Sequence, residues 1–511
     1  MLTADIPLSS GGCVSLRLVN DAFLESFSLP LSGGEVVVVL ERDVTRPVED
    51  VVRQCRRDVS ALREVVRQWP LQALLIEKMY LPVPVLRIER NYHAFCPLYA
   101  LYGKGTLHLE WDPVNLYRYL EGPGLLNRGQ CVAFLEGRWN YGPETVFRDI
   151  HMLPERGVLE VTEAGGLNIV RPPSLAVPSP RALAEGSDPV ERLHDLLKAA
   201  VARWPLAAGT AFCELSSGHD TTLVAHILAG RFSPEALKTV GYHLSSGTNA
   251  AAVMARRGET IARLKTVDFT LPDAVSVPGL ASPSGKTWPY HTYGNSIHPL
   301  AGHIVSAGGK IVFSGIGGDE LCGVTEAERI EDTASRTFRH TDESSKGVVS
   351  LLPDRLVSGR ADVSAWPRGL VPESANDMAN WVGPSYLRRG LWYAHPLALA
   401  EIQVFAHFLP AEWRRGRYLS KAILSHLGMS EEFVRQYPPE DSTNDLGARF
   451  ADESLITTLF RDSILVGEGL LDLAKFRAAQ EIVRHNPLNS QAGFPLMTAC
   501  LLESSLKSLA A

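Results

Sequence analysis

The chain lacks the features that announce an exported or membrane-bound protein. No run of about 18 apolar residues occurs in its 511 positions, which argues against a membrane span. The opening MLTADIPLSSGGC lacks the charged-then-apolar order of a signal peptide. Seven cysteines (13, 55, 96, 131, 213, 322 and 500) lie far apart, with no CxxC pair and no Cys/His cluster. That usage predicts a reducing cytoplasm, gives no zinc signal, and reads as buried hydrophobic thiols. Excess positive charge is missing too. With a net charge of -7 and a pI of about 6.1, no nucleic-acid surface and no membrane partner are expected.

What is present suits a soluble globular chain. Apolar residues make up 45% of the sequence, enough at this length for two or three cores. Residues 1–170 alternate short apolar runs with turns: EVVVVLERD, PVLRIER, GTLHLEW, QCVAFLE and GVLEVTE. These β-branched runs, bounded by Gly, Pro and Asp, predict an antiparallel sheet. The stretch 48–67 has apolar residues at helical spacing, so this part is expected to be α+β. Residues 171–189 are proline-rich and predict an extended linker. Asp188 and Pro189 then suit the cap and first residue of a helix. From there strands alternate with helices (TAFCEL, DTTLVAHILAG, LKTVGYH, AAAVMARRGETIARL, TVDF, KIVFSG). Alternation of that kind implies crossovers and a parallel sheet, hence an α/β class for residues 190–511, with a mainly helical C-terminal part.

Two motifs in that half carry chemistry. Glu214-Leu215-Ser216-Ser217-Gly218-His219-Asp220-Thr221-Thr222 lies between the first strand and its helix. A small-residue turn there turns backbone N–H groups and hydroxyls toward an anion, helped by the helix N-terminus. An Asp inside such a turn would repel phosphate unless a cation sat between them, so Asp220 implies Mg²⁺. An ordinary capping turn would use the same residue types. The second motif, Ser314-Gly315-Ile316-Gly317-Gly318-Asp319-Glu320-Leu321, follows the strand KIVF and again puts glycines and an acid where open α/β sheets bind ligands. Together the two turns could hold a Mg²⁺–pyrophosphate unit between them.

On these residues the sequence resembles the asparagine-synthetase family of PP-loop ATP pyrophosphatases. Ser216–Thr221 is similar to the family's SGGxDS and Ser314–Leu321 to its SGxGxDEL. TVFRDIHMLPERGVLEV, NYHAFCPLYALYGKGTLHLEWDP (with Pro97, Leu98 and Tyr99 matching), YAHPLALAEIQVFAHFLPAEWR and RYLSKAILSHL resemble further family passages. The resemblance implies a degenerate Ntn-hydrolase-like glutaminase domain over 1–170. It implies a PP-loop, adenine nucleotide α-hydrolase-like synthetase domain over 190–511. It also implies ATP and Mg²⁺ as cofactors, with Asp220 and Asp319 as metal ligands. Ser216, Ser217, Gly218 and Thr221 would cradle phosphate, Gly315 and Gly317 would shape the second loop, and backbone at Leu215, Val240, Gly241 and Tyr242 would touch adenine. Lys421 would face the reaction centre.

Three departures matter. Ser217 stands where the family has Gly, and the family's R-x-K loop is replaced by Arg435-Gln436-Tyr437. Lys421 is therefore expected to carry the catalytic charge, with Arg435 as its rival. Residue 2 is Leu rather than the family's nucleophilic Cys, so no ammonia from glutamine is expected. Members with that loss include β-lactam synthetase, carbapenam synthetase and lasso-peptide macrocyclases, and the sequence resembles the lasso-peptide macrocyclases and β-lactam synthetase-type members, with the macrocyclases favoured. The implied partners are a precursor peptide with its leader-processing protease, or a small-molecule carboxylate. A catalytically inactive scaffold is the reading from another class. The aromatic loop Lys286–His298 is a candidate acceptor pocket, or equally a loop packing its own rings.

Overall fold

In the computed structural model of the protein, the described residues are all except 1, 9–13, 19–21, 56–57, 81–82, 121–124, 138–140, 163–165, 177–178, 233–235, 244–248, 273–286, 291–293, 324–348, 358–365, 437–452, 487–489 and 511. Two antiparallel sheets form the first third. In the strand Leu2–Pro7, Leu2, Ala4 and Ile6 point inward and Asp5 outward, the period of a half-buried strand. Leu16–Leu18, Thr106–Glu110, Tyr99–Gly103 and His151–Met152 complete a five-stranded sheet. Leu24–Leu31, Gly34–Glu41, Ala73–Met79, Val85–Arg90, Val158–Thr162 and Gly166–Val170 make a six-stranded one. The sheets meet over Ile6, Val37, Val39, Ile76, Ile88 and Leu107. Val36, Val38 and Leu40 point the other way, onto the helices Val48–Cys55 and Val59–Arg67. Burial on both faces explains the unbroken run VVVVL.

Two local expectations change. The run QCVAFLE, read as a strand, lies in the helix Arg128–Leu135, whose first turn Asn127 caps through the amide of Gln130. Every residue from Gln130 to Leu135 is buried, so no alternation marked the difference between helix and strand. The stretch 48–67 is two helices, the second starting where the Asp58 carboxylate accepts from the amides of Ser60 and Ala61. The proline-rich segment is held against the second half: Leu175 N–H donates to Arg368 and Arg181 N–H to Phe408.

The second half is built on a parallel sheet. Its strands are β1 (Ala211–Glu214), β2 (Lys238–His243), β3 (Val267–Pro272), β4 (Ile311–Phe313) and β5 (Trp392–Ala394), in the order β3-β2-β1-β4-β5. The helices used below are α1 (Pro189–Ala202), α2 (His219–Ala229), α3 (Ala250–Leu264), α4 (Gly294–Ser306), α5 (Glu373–Leu387), α6 (Ala400–Phe408), α7 (Tyr418–His426) and α8 (Glu431–Arg435). Asp188 caps α1 through the amides of Val190 and Glu191, with Pro189 at its first position. The chain runs from β1 outward to β3 and then returns to the other side of β1 as β4. The direction of winding therefore reverses between β1 and β4, the kind of switch point at whose carboxyl ends open α/β sheets bind ligands. One hydrophobic cluster contains Val36, Leu62 and Trp69 from the first part and Leu193, Cys213, Phe313 and Leu419 from the second.

Candidate active site

The first loop leaves β1 with its ladder intact, Leu215 N–H donating to the Val240 carbonyl at 2.8 Å. Ser216 then folds back: its hydroxyl lies 3.0 Å from that of Thr221 and accepts from Gly218 N–H at 3.0 Å. Gly218 leads into α2 with extended backbone, and Asp220 falls in the first turn of that helix. Ser217 is buried, and its carbonyl accepts from Arg256 Nε of α3. Arg256 also lies over the Phe433 ring at 3.7 Å and donates to the carbonyls of Phe433 and Gln436, tying the loop to α8.

The second loop is pinned from the other side. Ser314 Oγ sits 2.7 Å from His395 Nδ1 at the end of β5, and Gln403 of α6 donates to the Gly317 carbonyl at 2.9 Å. Gly317 has φ 98°, and a side chain there would run into the backbone of Ala398. A Cβ on Gly318 would land on the Asp220 carboxyl group, and one on Gly315 would crowd Thr221. These glycines let the two loops touch.

Their acids meet as a consequence. Arg417, which precedes α7, donates from Nη1 to Asp220 Oδ2 at 3.2 Å and from Nη2 to Asp319 Oδ1. Burial, the neighbouring Asp319 charge and Glu320 push the Asp220 carboxyl up to about 7, against the pull of Arg417. Asp220 Oδ1 is buried without a protein partner. Two hard carboxylates and an orphaned oxygen suit Mg²⁺, which is usually bound by one or two carboxylates plus phosphate oxygens rather than by an all-protein cage. Among the described residues no group of three or more His, Cys, Asp and Glu side chains could hold a metal unaided.

The expected adenine border comes together as well. Val240 and Leu215 are buried side by side, and Gly241 leaves room for Arg257, whose guanidinium a Cβ there would strike. Arg257 in turn pairs with Asp268 at 2.5 Å. Lys421 lies one turn beyond Arg417 on α7, and its charge reaches His219. The His219 imidazole is held down to about 4, first by burial and then by Arg256, Arg417 and Lys421. Arg435 forms an exposed pair with Glu431 at 2.5 Å on its own helix. Tyr437 falls outside the described residues.

Sequence reasoning missed Arg417, Gly318 and Glu214. Arg417 opens the quoted RYLSKAILSHL, but nothing in that pattern separates it from Lys421. Glu214 is half-buried where β1 ends, accepting from the hydroxyls of Tyr386 at 2.6 Å and Tyr393 at 3.1 Å. Burial pushes its carboxyl up to about 7, with the tyrosines opposing. In the aromatic loop, Trp288 and Tyr290 pack against Tyr99, Phe147 and Phe134, while residues 286 and 291–293 lie outside the described set.

A small cavity of about 40 Å³ lies next to Leu2, lined also by Glu41, Gln72, Arg90, Cys96 and Trp392. It has room for about three waters. Comparison with the curated proteins gives no match. Residues 192–434 match the family model described as asparagine synthase, and this match supports an asparagine-synthetase-like family for the half that holds both loops.

Proposed function

We propose that the protein activates a carboxylate with ATP as an acyl-adenylate and joins it to an amine, releasing AMP and pyrophosphate. The observation that carries this reading is the meeting of two small-residue turns at neighbouring strand ends, with Asp220 and Asp319 near enough for one guanidinium to hold both. The coarser activity, ATP-dependent carbon–nitrogen ligation, is what the match over residues 192–434 supports.

In this reading Asp220 and Asp319 hold Mg²⁺, which neutralises phosphate charge when bound. Ser216, Ser217, Gly218 and Thr221 face phosphate oxygens, Gly315 and Gly317 keep the second loop close, and the backbone of Leu215, Val240 and Gly241 borders adenine. A substrate carboxylate oxygen attacks the α-phosphorus and the bond to the bridging oxygen breaks, expelling pyrophosphate. The amine nitrogen then attacks the acyl carbon, the carbon–oxygen bond to AMP breaks, and the amine gives up a proton. The chain's own cations beside these steps are Arg417 and Lys421.

We assign the amine to the substrate rather than to glutamine. Burial pushes all six described cysteine thiols above their ordinary range. None is predisposed to act as a thiolate nucleophile. The form we favour is macrolactam closure of a lasso-type peptide, its amine meeting its own activated Asp or Glu side chain. Proximity then supplies up to about 7–11 kcal/mol of barrier reduction in ideal cases. A precursor peptide and its processing protease would be the partners.

ATP–pyrophosphate exchange with synthetic precursor peptides, free amino acids and small carboxylates tests this. Exchange and AMP formation with a peptide are expected. ADP as product would overturn adenylation, exchange with small carboxylates alone would replace the peptide by a small molecule, and no exchange with any of them would favour the scaffold reading.

A further inference from the structure

Arg417 is placed unlike the other cations of the site. It follows Gly416 (φ 60°), and its own φ is also 60°, a left-handed conformation that an arginine adopts only under constraint. Both sides of this two-residue kink are anchored. Arg414 is buried and donates to the Gly323 carbonyl at 2.9 Å, just past the second loop. Leu419, Ser420, Ile423 and Leu424 bury the inner face of α7. The backbone is thus fixed in a conformation that aims one guanidinium at two carboxylates from two different loops. Its side chain remains about one-fifth exposed.

We propose that Arg417 is the resident counter-ion of the Asp220–Asp319 pair, so that a divalent cation enters with a triphosphate and not ahead of it, Arg417 passing from the carboxylates to the phosphate. This positioning role rests on the nucleotide site proposed above. The charge of Arg417 is permanent, because a guanidinium does not lose its proton in a protein. A divalent ion arriving alone meets a like charge already satisfied by both acids, and must strip those bonds without offering a replacement. A triphosphate offers one, since the planar fork of arginine binds phosphate oxygens as well as it binds carboxylates. The acids are then free for the metal. Metal and nucleotide thereby become coupled ligands, and each raises the other's affinity by the same factor, typically 5–150-fold for such linkage. Lys421, one turn further on, makes no hydrogen bond to either acid and does not replace this contact.

The test uses full-length protein and two probes, Mn²⁺ alone and Mn²⁺ with α,β-methylene-ATP, followed by the loss of the free Mn²⁺ electron-paramagnetic signal. Wild type is expected to bind Mn²⁺ weakly alone and at least about tenfold more tightly with the nucleotide. Arg417→Met should bind Mn²⁺ alone at least about tenfold better than wild type and lose most of the coupling. Arg417→Lys should fall between them, and Asp319→Asn added to Arg417→Met should abolish the gain. Thermal melting of each variant verifies the fold, with Arg417→Lys as the conservative replacement should Arg417→Met fail to fold. Two results overturn the proposal. If Arg417→Met binds Mn²⁺ as wild type does, while Asp220→Asn and Asp319→Asn still weaken nucleotide-dependent binding, the nucleotide site stands and the counter-ion role is wrong. If Mn²⁺ binding ignores both the nucleotide and the two acids, the site itself is misassigned and the proposal falls with it.

Discussion

At the scale of single residues, the contact between the loops depends on the absence of a side chain at position 318. Gly318→Ala puts a methyl group on the Asp220 carboxyl, so either the acid turns away or the second loop retreats. We expect loss of substrate-dependent pyrophosphate release while far-UV circular dichroism stays that of wild type. Arg435→Met is the contrast: an exposed pair within one helix contributes only about 0.3–0.5 kcal/mol, so turnover and melting should both stay near wild type. Glu214 makes a prediction in pH. Its carboxyl is raised to about 7 in the fold from an ordinary 4.5, so the folded chain keeps a proton that the unfolded chain releases. Stability from this group is therefore greatest below about 4.5 and falls as pH rises to about 7. Glu214→Gln, which keeps an acceptor for Tyr386 and Tyr393, should flatten that fall in melting temperature measured from pH 4.5 to 7.5.

At the scale of elements, the site is a product of strand order. β1 and β4 are adjacent only because the chain winds from β1 to β3 and returns. The two motifs, about one hundred residues apart, thus end on neighbouring strands. Strand and helix positions in this half were legible in advance because caps and periodicity are local: Asp188 and Pro189 mark α1 in the sequence as they do in space. The helix Arg128–Leu135 was not legible, because a run buried on all sides has no polar face to reveal its period. Nor was the break at Asp58, where a single cap divides one amphipathic pattern into two helices.

At the scale of the whole molecule, the two halves are joined through a buried acid. Glu41, at the end of its strand, accepts from the indole N–H groups of Trp204 and Trp392, both at 2.7 Å and both from the second half. Gln72 supplies further donors, and beside them Arg203 bridges Asp43 and Glu401. Burial pushes the Glu41 carboxyl upward, against these donors. Glu41→Ala leaves two indoles unsatisfied in the core, and each such group costs about 1–3 kcal/mol. We expect a lower urea midpoint, with intrinsic fluorescence and circular dichroism still falling together because the halves share one hydrophobic cluster. Separate transitions would show that the joint is weaker than this packing implies.

The sequence by itself determined the class of the second half, the two loops and the acids within them, because strand–helix alternation and small-residue turns are written within a few residues of each other. Among the described residues no helix is long and apolar enough to cross a membrane, which accords with the lack of long apolar runs. Only the tertiary structure decided which cation meets those acids. Lys421 and Arg435 were the candidates by pattern, yet the kink at Gly416 and Arg417 turns a third side chain to Asp220 and Asp319. A left-handed residue is invisible in a helical pattern, and a distance between residues 220, 319 and 417 belongs to the winding of the sheet rather than to any stretch of chain.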